Sequence, residues 1–252
     1  MARRNLTIHP ATPATEPIAE CVVTRERLKL AARRLFAQRG IDGVTVRDIV
    51  AASGQRNAAS IFYYFGTKEA LVQELITDGA KRIDDRRNAA FDSLELRATR
   101  PTLRTVIAAV VRTSFNEPDD PREPASEQTY LRFLVMMQAS HRELILKALD
   151  QHWSRGLQRA LAHIRRLLPR IAPTILTQRL VFMSVYVGHV LAAREAVLAD
   201  PDRQASSLRG DMAIENLIDT LVAMLSVAPG RTTLKTLPAS TAAPVRPRRK
   251  RA

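Results

Sequence analysis

The chain has 252 residues, 46% of them hydrophobic and only 5% aromatic, with a formal net charge of +14. This allows one large or two modest domains with a full core, and the single cysteine, Cys21, excludes an intrachain disulfide. No signal peptide and no apolar run long enough to cross a bilayer is read, so a cytoplasmic protein without a membrane partner is expected.

Abundant Ala, Leu and Arg favour helices. Residues 1–21, with Pro10, Pro13 and Pro17, read as a disordered arm. Thr24 is expected to cap a helix to about Arg39, with Leu28, Ala31, Ala32, Leu35 and Phe36 on its inner stripe. Gly40 closes it. Thr45 is the next cap, with Asp48 three residues on, where an acid can bond back to the cap. Val46, Ile49 and Val50 give this second helix an inner face, and Gly54 ends it. A third short helix carries Ile61, Phe62 and Phe65 as apolar anchors and ends at Gly66. Two short helices across a tight turn form a helix-turn-helix, whose second helix can enter a DNA major groove.

The runs R-L-F-A-Q-R-G-I-D-G-V-T-V-R-D-I-V-A-A-S-G and Y-Y-F-G-T-K-E-A-L make the resemblance specific. Together they resemble the DNA-binding domain of the TetR/AcrR family of bacterial transcriptional regulators, over about residues 22–83. Matching positions include Ala31, Phe36, Gly40, Thr45, Ile49, Gly54, Tyr64, Phe65, Lys68 and Leu71. Two features depart from the common pattern. The turn reads Gln55-Arg56-Asn57, with one extra residue before Phe65, and Phe62 stands where a tyrosine is frequent. Thr45, Arg47, Tyr63, Tyr64 and Lys68 are the candidates for positioning on phosphates, with Val46 in the same DNA-facing segment. Because the turn departs from the family pattern, the base-reading register is not carried over, and Arg56, Asn57, Ala59 and Ser60 are candidates for the groove by their chemistry. Arg suits guanine, Asn adenine, and Ala a thymine methyl.

Thr67 starts a long helix to about Leu94, and Thr102–Phe115 forms another. Residues 116–126 read as a solvated loop, without the Gly-centred alternation of a calcium site. Helices follow at about Glu127–Ser140 and at His141–Leu168, the latter bent near Gly156. His141, His152 and His163 recur every eleven residues, a step of ~16 Å along a straight helix, too far apart to share one metal. Two wide apolar helices, Pro173–Ala199 and Gly210–Val227, close the core. They can pack within the chain, and the resemblance implies that they form a four-helix dimer interface. Residues 229–252 carry seven basic and no acidic residues, half the net excess, and read as a disordered basic tail.

The expected fold class is all-α, with an N-terminal three-helix helix-turn-helix domain (22–83) and a larger C-terminal helical ligand-binding and dimerisation domain (84–228). No P-loop, G-x-S-x-G, H-E-x-x-H or Cys/His cluster is present, so no catalytic residue, cofactor or metal is expected. The expected function is that of a ligand-responsive homodimeric repressor on a near-palindromic DNA operator. The alternatives are a nonspecific architectural DNA binder or a helical enzyme without a recognisable motif. An effector pocket is expected from Phe115, Tyr130, Phe133, Met137, Trp153, Phe182 and Tyr186, although aromatics and Met at helical spacing are ordinarily plain core.

Overall fold

A computed structural model describes residues 16–96, 99–115, 128–149, 154–200, 202 and 207–237. Among them every regular element is helical. The first is α1, Glu16–Arg39, which begins eight residues before the expected cap at Thr24. Pro17 lies in its first turn, where a missing N–H costs no intrahelical bond, so a proline there marks a helix start rather than an arm. Residues 1–15 of the expected arm lie outside the described residues.

Helices α2 (Val46–Ala52) and α3 (Ala59–Phe65) complete the N-terminal unit. Leu28, Phe36, Val44, Ile49, Ile61 and Leu71 are almost wholly buried in its core. Phe36 continues outward onto Phe133 of the larger part, ring centroids 6.1 Å apart.

Helix α4 (Lys68–Glu95) starts at Thr67, whose hydroxyl accepts from Ala70 N at 3.0 Å, and runs on into the C-terminal part. There it packs against α7 (Arg142–Leu149) and α8 (Arg155–Leu167). Helix α5 (Leu103–Arg112), capped by Thr102, lies on α8 and on α10 (Asp211–Ser226). Helix α6 (Tyr130–Ser140) sits between α1 and α9 (Pro173–Leu198).

The expected helix over 141–168 is two helices, α7 and α8, with residues 150–153 between them outside the described residues. Gly156 is therefore not a bend. It opens α8 where a Cβ would lie 2.8 Å from Arg87 Cβ, and its N–H donates to the buried Asp84 carboxylate at 2.8 Å. Close approach to α4 requires that glycine. His141 and His163 lie on separate elements, and His152 is outside the described residues. No cluster of potential metal ligands occurs among the described residues.

Leu176, Leu180, Met183, Val187 and Leu191 of α9 face the core, as do Ile214, Leu217, Ile218, Leu221 and Leu225 of α10. Helix α9 also carries a second apolar face in the open, with Val181, Phe182, Val185 and Tyr186 all more than 40% exposed. Apolar on both sides, it is long and apolar enough to cross a membrane, contrary to the expectation that no such run exists. Its inner face is that of a core helix. Beyond it, Arg231–Lys235 forms a short α11 within the stretch expected to be disordered, and Leu237 packs against the core. Residues 238–252 lie outside the described residues.

Candidate nucleic-acid interface

The reading head is assembled by capping chemistry. Thr45 Oγ1 accepts from Asp48 N at 3.2 Å, and Asp48 Oδ2 accepts from Thr45 N and from the Thr45 hydroxyl, each at 2.7 Å. These bonds, from the Thr45 side chain first, hold the Asp48 carboxyl below its ordinary value. The box fixes the start of α2 and leaves Arg47 exposed beside Val46, which is partly buried.

Six residues, 53–58, separate α2 from α3, more than the three or four of a typical helix-turn-helix. Gly54 turns the chain with φ 74°, a left-handed conformation that favours glycine. Asn57 then replaces the missing cap on Ala58. Its Oδ1 accepts from Ala59 N at 2.9 Å, and its carbonyl accepts from Ser60 N at 3.1 Å and Ser60 Oγ at 2.7 Å. The extra residue is thus absorbed in a side-chain-capped entry to α3. Asn57 and Ser60 hold the helix start and still stand at its outer surface.

Ile61 and Phe65 anchor α3 inward, while Ala59, Phe62 and Tyr63 face out, Tyr63 at 79% exposure. Arg47, Arg56 and Asn57 are exposed on the same unit. Tyr64 is half buried against Tyr63 and lies near α1. Cys21, by hydrogen bonding, and then burial push its phenol above its ordinary value. A cleft of about 520 Å³ lies here, lined by Gln55, Asn57, Ser60 and Tyr63 on one side and by Glu20, Cys21 and Thr24 of α1 on the other. Sequence reasoning missed Glu20 and Cys21 and gave Thr24 the role of a cap. The proline at the true helix start was the available signal.

Lys68 is the residue whose placement differs most from expectation. Its ammonium donates to Ile41 O at 2.7 Å and Val44 O at 2.6 Å and lies 5.8 Å from the Phe36 ring centroid. It turns back under the head and ties the α1–α2 turn to α4, because the Ile41 and Val44 carbonyls of that turn point at the start of α4, Ile41 O accepting from Val44 N as well at 3.2 Å. Of the ten candidate DNA-facing residues, Thr45, Val46, Arg47, Arg56, Asn57, Ala59, Ser60, Tyr63 and Tyr64 come together around α2, the turn and α3, and Lys68 stands beneath them.

Among the described residues, the expected effector-pocket residues do not gather around one cavity. Phe133 and Met137 are plain core, and Phe182 and Tyr186 lie on the open face of α9, because a helix apolar on two sides has two candidate inner faces and packing on α6 and α10 chose the other. Trp153 is outside the described residues. Phe115 and Tyr130 do share a cavity with Arg82, Arg86 and Gln128, but it measures about 20 Å³, room for roughly one water. Tyr130 closes it by donating to Ile76 O at 2.9 Å and lying flat on Gly79.

Comparison with known proteins decides the kinship. Residues 30–75 match the family described as bacterial regulatory proteins, tetR family, and residues 108–224 match the tetracyclin repressor-like C-terminal domain. The chain belongs to the TetR family. The two matches take in α2, α3 and most of the C-terminal helices, so both the head and the core are those of a TetR-family regulator. The HTH-type transcriptional repressor AcnR of Corynebacterium efficiens is 40% identical over 62 residues, 25% of this chain and 32% of that protein. AcnR of Corynebacterium glutamicum is 40% identical over 60 residues, 24% of this chain and 31% of the relative. The chain thus matches about a third of the length of these relatives.

Among solved structures, the TetR-family transcriptional regulator PfmR from Thermus thermophilus is 18% identical, with a TM-score of 0.46 over 79% of this chain and 97% of that one. A tetR-family transcription regulator from Shewanella sp. PV-4 is 15% identical, with a TM-score of 0.47 over 79% and 95%.

Proposed function

We propose that this TetR-family chain is a cytoplasmic, homodimeric transcriptional repressor that binds a near-palindromic DNA operator and answers to a small-molecule effector. The observation that carries the DNA-binding reading is the exposed polar and cationic face of the head. Arg47, Arg56, Asn57 and Tyr63 surround a short recognition helix with its apolar side locked inward. Repression is supported by the AcnR relatives, whose similarity lies in this same region. Dimerisation is supported by the open apolar face of α9. The effector is the family's expectation.

In this reading Arg47, Thr45, Tyr63 and Tyr64 position the head on phosphates, and Arg56, Asn57, Ala59 and Ser60 meet base edges. Selection of bound fragments from random or genomic DNA tests it. A short site with two half-sites spaced by about 34–36 Å, or a multiple, is the expected product. Arg47→Ala should weaken all sites alike, and Arg56→Ala or Asn57→Ala should change which site is preferred. Even coverage with no preferred sequence would support the architectural alternative and reject the repressor.

A further inference from the structure

A groove of about 380 Å³ runs between α1 and α4, a volume typical of small-molecule sites. Leu75 is buried in its wall, Leu30 is half buried, and Val22 and Val23 stand in the open at 55% and 48% exposure. Its charged lining is Arg27, Lys29, Arg33 and Arg82 against Glu26 and Asp78. Both carboxylates are already held by Lys29, at 2.8 Å and 2.5 Å. Arg33 is buried and donates to Thr129 Oγ1 at 3.1 Å. Arg27 and Arg82 are exposed and have no carboxylate partner among the described residues. The groove is therefore apolar on one side, with an excess of positive charge available to a ligand.

We propose that this groove binds a small amphipathic carboxylate, its chain on Val22, Val23, Leu30 and Leu75 and its carboxylate on Arg82. A guanidinium presents two parallel N–H donors that match a carboxylate. Covering the two open valines removes apolar surface from water, the favourable term for the chain of the ligand. A neutral alcohol forfeits the charge-assisted bonds, and an ammonium meets the cationic excess. The groove shares only Arg82 with the lining of the small core cavity and touches both α1, part of the reading head, and α4, the helix that joins the head to the core.

Sodium octanoate is the probe, titrated into the full chain at constant ionic strength and followed by calorimetry and by Tm. This measurement needs no operator, so it stands or falls apart from the DNA-binding reading. The expected result is saturable one-to-one binding and a rise in Tm. Arg82→Gln and Val23→Asp, both at exposed positions, should each weaken binding about tenfold or more while leaving the far-UV circular dichroism unchanged. Octylammonium and 1-octanol should bind at least about tenfold more weakly than octanoate. Absence of saturable binding overturns the proposal, as does binding that survives both substitutions or is matched by octylammonium. A gain of about tenfold on removing residues 1–15 would assign the groove to that segment of the chain and overturn it too.

Discussion

Asp48 and Lys68 both hold the reading head, one by a contact three residues away and the other by contacts more than twenty residues away. Asp48 is only partly exposed, and its carboxyl is held below the ordinary range by Thr45, so its contribution is present above the ordinary carboxylate value and is lost as pH falls through the lowered one. Asp48→Asn should lower Tm at neutral pH, and the gap to the wild type should close as the solution is acidified below the ordinary carboxylate range. A gap that stays constant to strongly acid pH would show that the charge of Asp48 is not what holds the cap. Lys68→Ala removes two hydrogen bonds from a charged donor to Ile41 O and Val44 O and leaves both acceptors at the turn. A loss of about 2 kcal/mol in urea-melt stability is expected. An unchanged melt combined with weaker DNA binding would return Lys68 to the phosphate role.

At the scale of elements, α6 is the piece on which head and core meet. Its first turn is capped from outside by the buried Glu195 of α9, whose carboxylate accepts from Leu131 N at 3.1 Å and Arg132 N at 2.8 Å. The negative group sits at the positive end of the helix, where its charge is favoured. Its other end reaches the head, with Met136 beside Gly40 and His141 Nε2 at 3.1 Å from Asp42 Oδ2 in the turn before α2. Glu195→Ala leaves two backbone donors without this acceptor and should cost about 2–4 kcal/mol, with Glu195→Gln losing less because one oxygen remains. Equal stability of all three proteins in urea would count against this cap. The contact was not legible in the sequence. A glutamate near the end of an apolar helix reads as surface, and the arrival of α6, more than sixty residues earlier in the chain, gives it two backbone donors to hold.

For the whole molecule, the open face of α9 is the main unfinished surface. Val181, Phe182, Val185 and Tyr186 occupy about two turns of one helix and are exposed together. A second copy related by a two-fold axis would bury the same face on both partners and bring two reading heads to one DNA. Phe182→Asp combined with Val185→Asp should convert a dimeric mass in light scattering to a monomeric one and leave the circular dichroism of the chain unchanged. A double variant that remains dimeric would move the interface elsewhere.

Local chemistry was legible in the sequence. Thr45 with Asp48, Thr67, Thr102, Gly54 and Gly66 act within a few residues of themselves, so the caps and ends they signal could be placed by spacing alone. The helical content of the core and the helix-turn-helix followed from the same periodic signals and from the resemblance that the family matches bear out. Other features depended on neighbours distant in sequence. The spacing around Gly156 is the same whether it bends one helix or opens a second, and the approach of Arg87 on α4 made it the latter. Lys68 has a side chain long enough to reach outward or inward, and the Ile41 and Val44 carbonyls of the turn before α2 drew it in. Helix α9 is apolar on two sides, so its sequence could not say which face would be inner, and Phe182 and Tyr186 went to the surface when α6 and α10 covered the other side. Periodicity specifies a helix and its capping chemistry because those interactions are nearly all within one turn. Which of two apolar faces is buried, and which carbonyl a lysine meets, are set by competition among distant elements for the same contact, and that is decided only when the chain has folded.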